Sequence, residues 1–218
     1  KNSISQKRLL PQEATPEKAL YYQLNIAVLK SKLQHVPDRD SETLSNTLID
    51  FPNADGVLET YRVMEYSVMH PELQAKFPDI RSYVGYGLEK TSPVIYFSVS
   101  QDNLHSMTMS IDKGTALINP YATDGIYEVF SKKDIPVAQG FLECGVMDDS
   151  LSNRMDFETN FVAARNANDG TRRTYRLAIG TSIEYTNFHG GTVASAMAAI
   201  NTTMTRVNGI YDRELSIR

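Results

Sequence analysis

The chain has 218 residues, 41% hydrophobic and 22% charged, which is the composition of a globular protein with room for one large domain or a domain plus part of another. Its net charge of -4, with scattered Lys and Arg, argues against a nucleic-acid partner, because phosphate binding needs a basic surface. No apolar run approaches the ~20 residues that cross a bilayer, so no membrane partner is expected, and a single cysteine, Cys144, excludes an internal disulfide framework.

Residues 1–17 are polar and read as a loose leader, and the start at Lys1 reads as processed or trimmed, which leaves secretion open. Ala19-Leu20-Tyr21-Tyr22 reads as a short strand. Asn25 is a plausible N-cap for a helix over 26–35, where Ile26, Leu29 and Leu33 share a face. Thr47 to Phe51 alternates, Asn53-Ala54-Asp55-Gly56 supplies turn chemistry, and Leu58 to Met64 is the return strand. A helical turn follows His70-Pro71. Strands are then expected over Ile80–Leu88, Val94–Val99, His105–Ile111 and Thr115–Ile118, giving roughly six antiparallel strands over about 46–120.

Residues from 121 to about 168 lose periodicity and read as a connector. Thr174 to Gly180 alternates and predicts a strand. Val193, Met197, Ile200, Met204, Val207 and Tyr211 then recur at helical spacing, an apolar stripe read as core-facing, and Glu214–Arg218 begins another strand. The expected fold class is α+β: an antiparallel β-rich unit with a short N-terminal helix within 1–168, then an incomplete α/β start, strand–helix–strand, over 169–218. That last unit is expected to be a fragment, because its helix stripe has no layer to bury it.

Chemistry is sparse. His35, His70, His105 and His189 form no H-E-x-x-H and no pair with metal-ligand spacing, and His70, His105 and His189 read more readily as turn or sheet residues. No G-x-S-x-G surrounds a serine, and Gly190-Gly191-Thr192 ahead of a helix is too slight a signal for an anion site. No catalytic and no cofactor-binding residue is assigned within the chain.

Three stretches carry a resemblance. Phe51-Pro52-Asn53-Ala54-Asp55-Gly56 through Tyr61-Arg62-Val63, Ser67 to Leu73 and Phe77 to Tyr83 resembles the pro-region of bacterial reprolysin-like metalloproteases, zymogens of the metzincin clan. Thr174-Tyr175-Arg176-Leu177-Ala178, Glu184-Tyr185-Thr186, Phe188 to Val193 and Thr202 to Tyr211 is similar to the first strand and helix of their catalytic domain. A third stretch, Glu143-Cys144-Gly145-Val146-Met147-Asp148, is similar to the cysteine switch of such zymogens, with Glu143 and Met147 where a basic residue and proline are usual.

The resemblance implies a secreted zinc endopeptidase precursor. Cys144 would be the latency ligand, since a thiolate can fill the open zinc position that water needs. Processing is expected near Arg165 or at Arg172-Arg173. The implied cofactor is zinc, with most ligands outside this chain, because members carry H-E-x-x-H well after the first helix; these residues alone are expected to be inactive. The implied partners are the protein's own catalytic domain, a processing protease and protein substrates. Two other readings stand beside this one: a secreted β-rich binding or adhesion module, and a free-standing inhibitor that blocks a protease through Cys144.

Overall fold

A computed structural model describes residues 15–89, 93–101, 103–136 and 173–217. Eight antiparallel strands form one curled, open half-barrel: β1 (Leu20–Gln23), β2 (Leu48–Pro52), β3 (Leu58–Glu65), β4 (Arg81–Gly87), β5 (Val94–Val99), β6 (Leu104–Ser110), β7 (Gly114–Ala122) and β8 (Ile126–Ser131). From β2 to β8 the chain is a meander, each strand pairing with the next, and β1 closes the far edge against β8. Helix α1 (Ile26–Leu33) is capped by the Asn25 side chain, which accepts a hydrogen bond from the Val28 N–H. Helix α2 (Pro71–Lys76) is a short turn capped by His70. After the interval 137–172 come α3 (Ile183–Phe188) and the long α4 (Val193–Leu215).

Period-2 alternation divides the sheet into two unlike faces. One carries Ile49, Phe51, Tyr61, Val63, Tyr83, Ile95, Phe97, Val99, Leu104, Ile118, Tyr127 and Val129, and α1 lays Leu29 and Leu33 on it. This is the main core. The hairpin turn between β2 and β3 is shaped by Asn53, whose side chain accepts from the Asp55 and Val57 N–H groups, and by Gly56 at φ 85°. The opposite face carries a smaller cluster of Tyr66, Val84, Tyr96, Met107 and Met109, interspersed with Ser82 and Ser98. Helix α4 lies across this second face, against β4, β5 and β6.

The antiparallel β-rich architecture is as expected, and the six strands predicted over 46–120 are β2 to β7. The sheet continues where the sequence loses periodicity: Ile126–Ser131 is β8, an interior strand between β7 and β1. All six of its residues are buried, so no alternation marks it, and Glu128 interrupts its apolar run.

The C-terminal segment differs from its prediction in three ways. Thr174–Gly180 forms no ladder among the described residues; the isolated parallel bridge of Arg173 to Ile217 is its one point of β pairing. The strand expected from Glu214 is not formed there, because α4 runs on through Leu215 and ends at Ser216 in a left-handed conformation, φ 53°. And α4 turns its apolar stripe only partly inward: Val193 is 69% and Tyr211 46% exposed, while Met197, Ile200, Met204 and Val207 between them are half-buried. The buried positions are Ala196, Asn201, Thr205, Asn208 and Gly209.

Candidate functional site

The densest convergence of polar side chains between distant parts of the chain is the seam between α4 and the sheet. Thr192 starts the helix with a capping box, its hydroxyl accepting from the Ser195 N–H while the Ser195 hydroxyl accepts from the Thr192 N–H. Asn201, Thr205, Asn208 and Asp212 then recur at steps of four, three and four, which places them on one face.

Each meets a partner built into the sheet, apart from Asn208, which is buried in the same row. Ser82 on β4 donates to Asn201 Oδ1 at 3.1 Å, and the Thr205 hydroxyl lies 2.9 Å from Ser82 Oγ and 2.6 Å from the Asn201 carbonyl oxygen. Ser98 on β5 and Thr202 share a hydroxyl contact of 2.8 Å. Arg206 Nη2 donates to Asn119 Oδ1 on β7 at 2.7 Å and to the Ser106 carbonyl at 3.3 Å. At the C-terminal end Asp212 pairs with Arg39, from the loop after α1, and accepts from the Tyr96 hydroxyl at 3.3 Å. The Arg39 guanidinium sits 5.0 Å over the Tyr66 ring. Gly209 lets the helix approach: a Cβ there would lie 2.7 Å from Tyr96 Cδ2.

The electrostatics follow from this packing. Burial works hardest against the Arg39 charge, but the hydrogen bond to Asp212, together with the Tyr86, Asp212 and Tyr96 side chains around it, outweighs burial and raises the guanidinium pKa above its ordinary value. Burial first, then the Asp212 carboxylate, push the Tyr96 phenol up. His105, beside the seam on β6, is pushed down to about 4 by burial and then by the Arg206 charge, while Asn119 Oδ1 lies 3.4 Å from its Nδ1. On β8, directly across from Asn119, burial raises Glu128 to about 7. Asn201 is 2% exposed, and its Nδ2 is buried without a hydrogen-bond partner. Such a seam contributes orientation more than energy, since each neutral hydrogen bond adds only ~1 kcal/mol net.

Another buried carboxylate, Glu59 on β3, lies at the apolar face and accepts from Asn53 Nδ2 at 2.8 Å, Tyr61 OH at 2.6 Å and Lys113 Nζ at 2.6 Å. It ties the β2–β3 turn to the β6–β7 turn. Burial would raise its pKa, but these three donors hold it below the usual carboxylate range.

Of the residues singled out from sequence, Cys144, Arg165 and Arg172 lie outside the described residues. Arg173 is exposed, and its N–H donates to the Ser216 carbonyl at 2.9 Å. Among the described residues no group of three or more His, Cys, Asp or Glu side chains could hold a metal ion, so these residues do not fit a zinc site. His105 and His189 both border the α4 region without forming such a group; His189 ends α3, its ring 4.4 Å from that of Tyr185. No described helix is long and apolar enough to cross a membrane. Sequence reasoning missed the seam, because the buried polar row lies one residue on from the apolar stripe, about 100° round the helix, where no hydrophobic pattern marks it.

Comparison with known proteins divides the chain at the same place. The family described as Metallo-peptidase family M12B Reprolysin-like matches residues 171–218, the segment that contains α3 and α4. No curated protein matches the chain. No solved structure matches it either.

Proposed function

We propose that this chain is the pro-region and the opening of the catalytic part of a secreted zinc endopeptidase precursor. Residues 1–168 assist folding and keep the enzyme latent, and residues 169–218 are catalytic scaffold without the catalytic motif. The observation that carries the reading is that a segment similar to reprolysin-like metallopeptidases is held on a sheet the family match does not include. A precursor needs such a division, one part resembling the enzyme and another gripping it. Cys144 takes the latency role that the resemblance of Glu143 to Asp148 to a cysteine switch implies, and Arg165 or Arg172-Arg173 the processing site. The partners are then the rest of the catalytic domain, a processing protease and, for the whole enzyme, protein substrates.

The test is expression of the longer reading frame and assay of peptide hydrolysis before and after cleavage between 136 and 173. The expected result is a latent chain that becomes active on cutting and loses activity to a chelator. Cys144→Ser should give activity before cutting. A reading frame with no H-E-x-x-H within ~150 residues after Arg218 sinks the proposal.

A further inference from the structure

We infer that the sheet face built by β4, β5 and β6 is a docking site for helix α4 that holds it without covalent continuity, so that a chain cut between 136 and 173 stays together as a two-piece complex. The inference needs only the geometry of the seam; its regulatory meaning, a helix withheld from its place in an enzyme, rests on the precursor reading above.

Three features distinguish a docking site from ordinary core. The residues that meet across it are Ser82, Ser98, Asn119 and Arg39 on one side and Asn201, Thr202, Thr205, Arg206 and Asp212 on the other. All of these side chains can return to water when the helix leaves, which an apolar core cannot do without a large loss. The sheet also keeps its main core when α4 is removed, because that core lies on the opposite face under α1. Finally, the seam is specific in shape and charge: it requires a residue without Cβ at 209, small polar residues at 201 and 205, and an acid at 212 opposite Arg39. A helix lacking this pattern meets the Tyr96 ring and an unpaired guanidinium. The bare face would expose Val84, Tyr96 and Met107, so the helix also shields an apolar patch.

The experiment inserts a site-specific protease sequence within 137–172 of the full chain, cuts it, and follows the two pieces by size-exclusion chromatography and dilution. The wild-type pieces should co-elute. Asp212→Arg should weaken the complex roughly tenfold to a hundredfold, and adding Arg39→Asp should restore it. Gly209→Ala provides a second variant whose failure cannot be blamed on a poorer helix, since Ala is the better helix former; it should weaken association while raising the helicity of the released piece. Val193→Ser, at the exposed start of the helix, should leave co-elution intact. Separation of the wild-type pieces on cutting, retention of the complex by both Asp212→Arg and Gly209→Ala, or loss of it with Val193→Ser would each overturn the inference. None of these results depends on peptidase activity, and a missing H-E-x-x-H downstream would leave co-elution unchanged.

Discussion

The two faces of one sheet solve different problems. On the face under α1, Phe97 stacks on Tyr83 with centroids 5.1 Å apart and meets Phe51 at the same distance, and Val63 and Ile95 are fully buried beside them. On the face under α4, the same strands present Ser82, Tyr96 and Ser98, and the helix answers with hydroxyls, amides and an ion pair. Apolar burial is non-directional and supplies stability; a hydrogen-bonded seam supplies little net energy but accepts only one partner in one register. The half-barrel is therefore permanent structure on one side and a recognition surface on the other.

The comparison breaks most visibly at Phe97. Phe97→Ala removes a ring from the centre of the main core and is expected to cost ~3–5 kcal/mol, read as a lower denaturant midpoint. An effect below ~1 kcal/mol would mean that this face is not the core of the fold. Next in size is the ion pair on the other face. Asp212→Ala leaves the Arg39 guanidinium largely buried without its carboxylate and should cost on the order of 3 kcal/mol. Replacing Arg39 and Asp212 together by apolar residues should recover much of that loss, whereas no second change at the core face should rescue Phe97→Ala.

These two faces were not equally legible. The core face was readable because burial there coincides with hydrophobicity: Val94–Val99 and Leu58–Glu65 alternate or run apolar, and Asn25 and Asn53 are capping and turn residues by their own chemistry. The seam was not, because Asn201, Thr205 and Gly209 are buried without being apolar, and a hydrophobic pattern places the sheet against Met197, Ile200 and Met204 instead. Strand β8 escaped for a related reason, since Glu128 is a carboxylate in a fully buried strand. Thr174–Gly180 has the alternation of a strand and finds no ladder among the described residues, as pairing depends on neighbours that local pattern does not contain.

Two titrating groups on the seam side sharpen the contrast through pH. Glu128 is raised to about 7 from 4.5, so its contribution is fully present below pH 4.5 and is lost as pH rises toward 7. His105 is lowered to about 4 from 6.5, so its contribution is present above pH 6.5 and is lost as pH falls toward 4. The groups facing His105 are the Arg206 guanidinium on α4 and the His189 side chain at the end of α3, with the neutral Asn119 beside it. The two slopes oppose each other across the same window, each on the order of 2 kcal/mol. Unfolding at pH 4.5 and pH 7 should show wild type nearly flat. Glu128→Gln should be the less stable of its two states at pH 4.5, and His105→Gln the less stable of its two states at pH 7. Parallel profiles for all three proteins would remove both groups from the account.

The smallest effect tests what the seam is for. Ser98 and Thr202 meet by one hydroxyl contact of 2.8 Å, with Ser98 buried. Removing either hydroxyl strands the other, so Ser98→Ala or Thr202→Val alone should cost ~1 kcal/mol. Removing both leaves nothing unpaired, and the double variant should be close to wild type in stability, giving a coupling of about 2 kcal/mol in the cycle. The same double variant should nonetheless bind α4 with a less defined register, read as broadened helix amide resonances in the two-piece complex. If instead the double variant were as unstable as the sum of the singles, the hydroxyl pair would be contributing stability in its own right. The polar face would then differ from the apolar one only in chemistry, not in purpose.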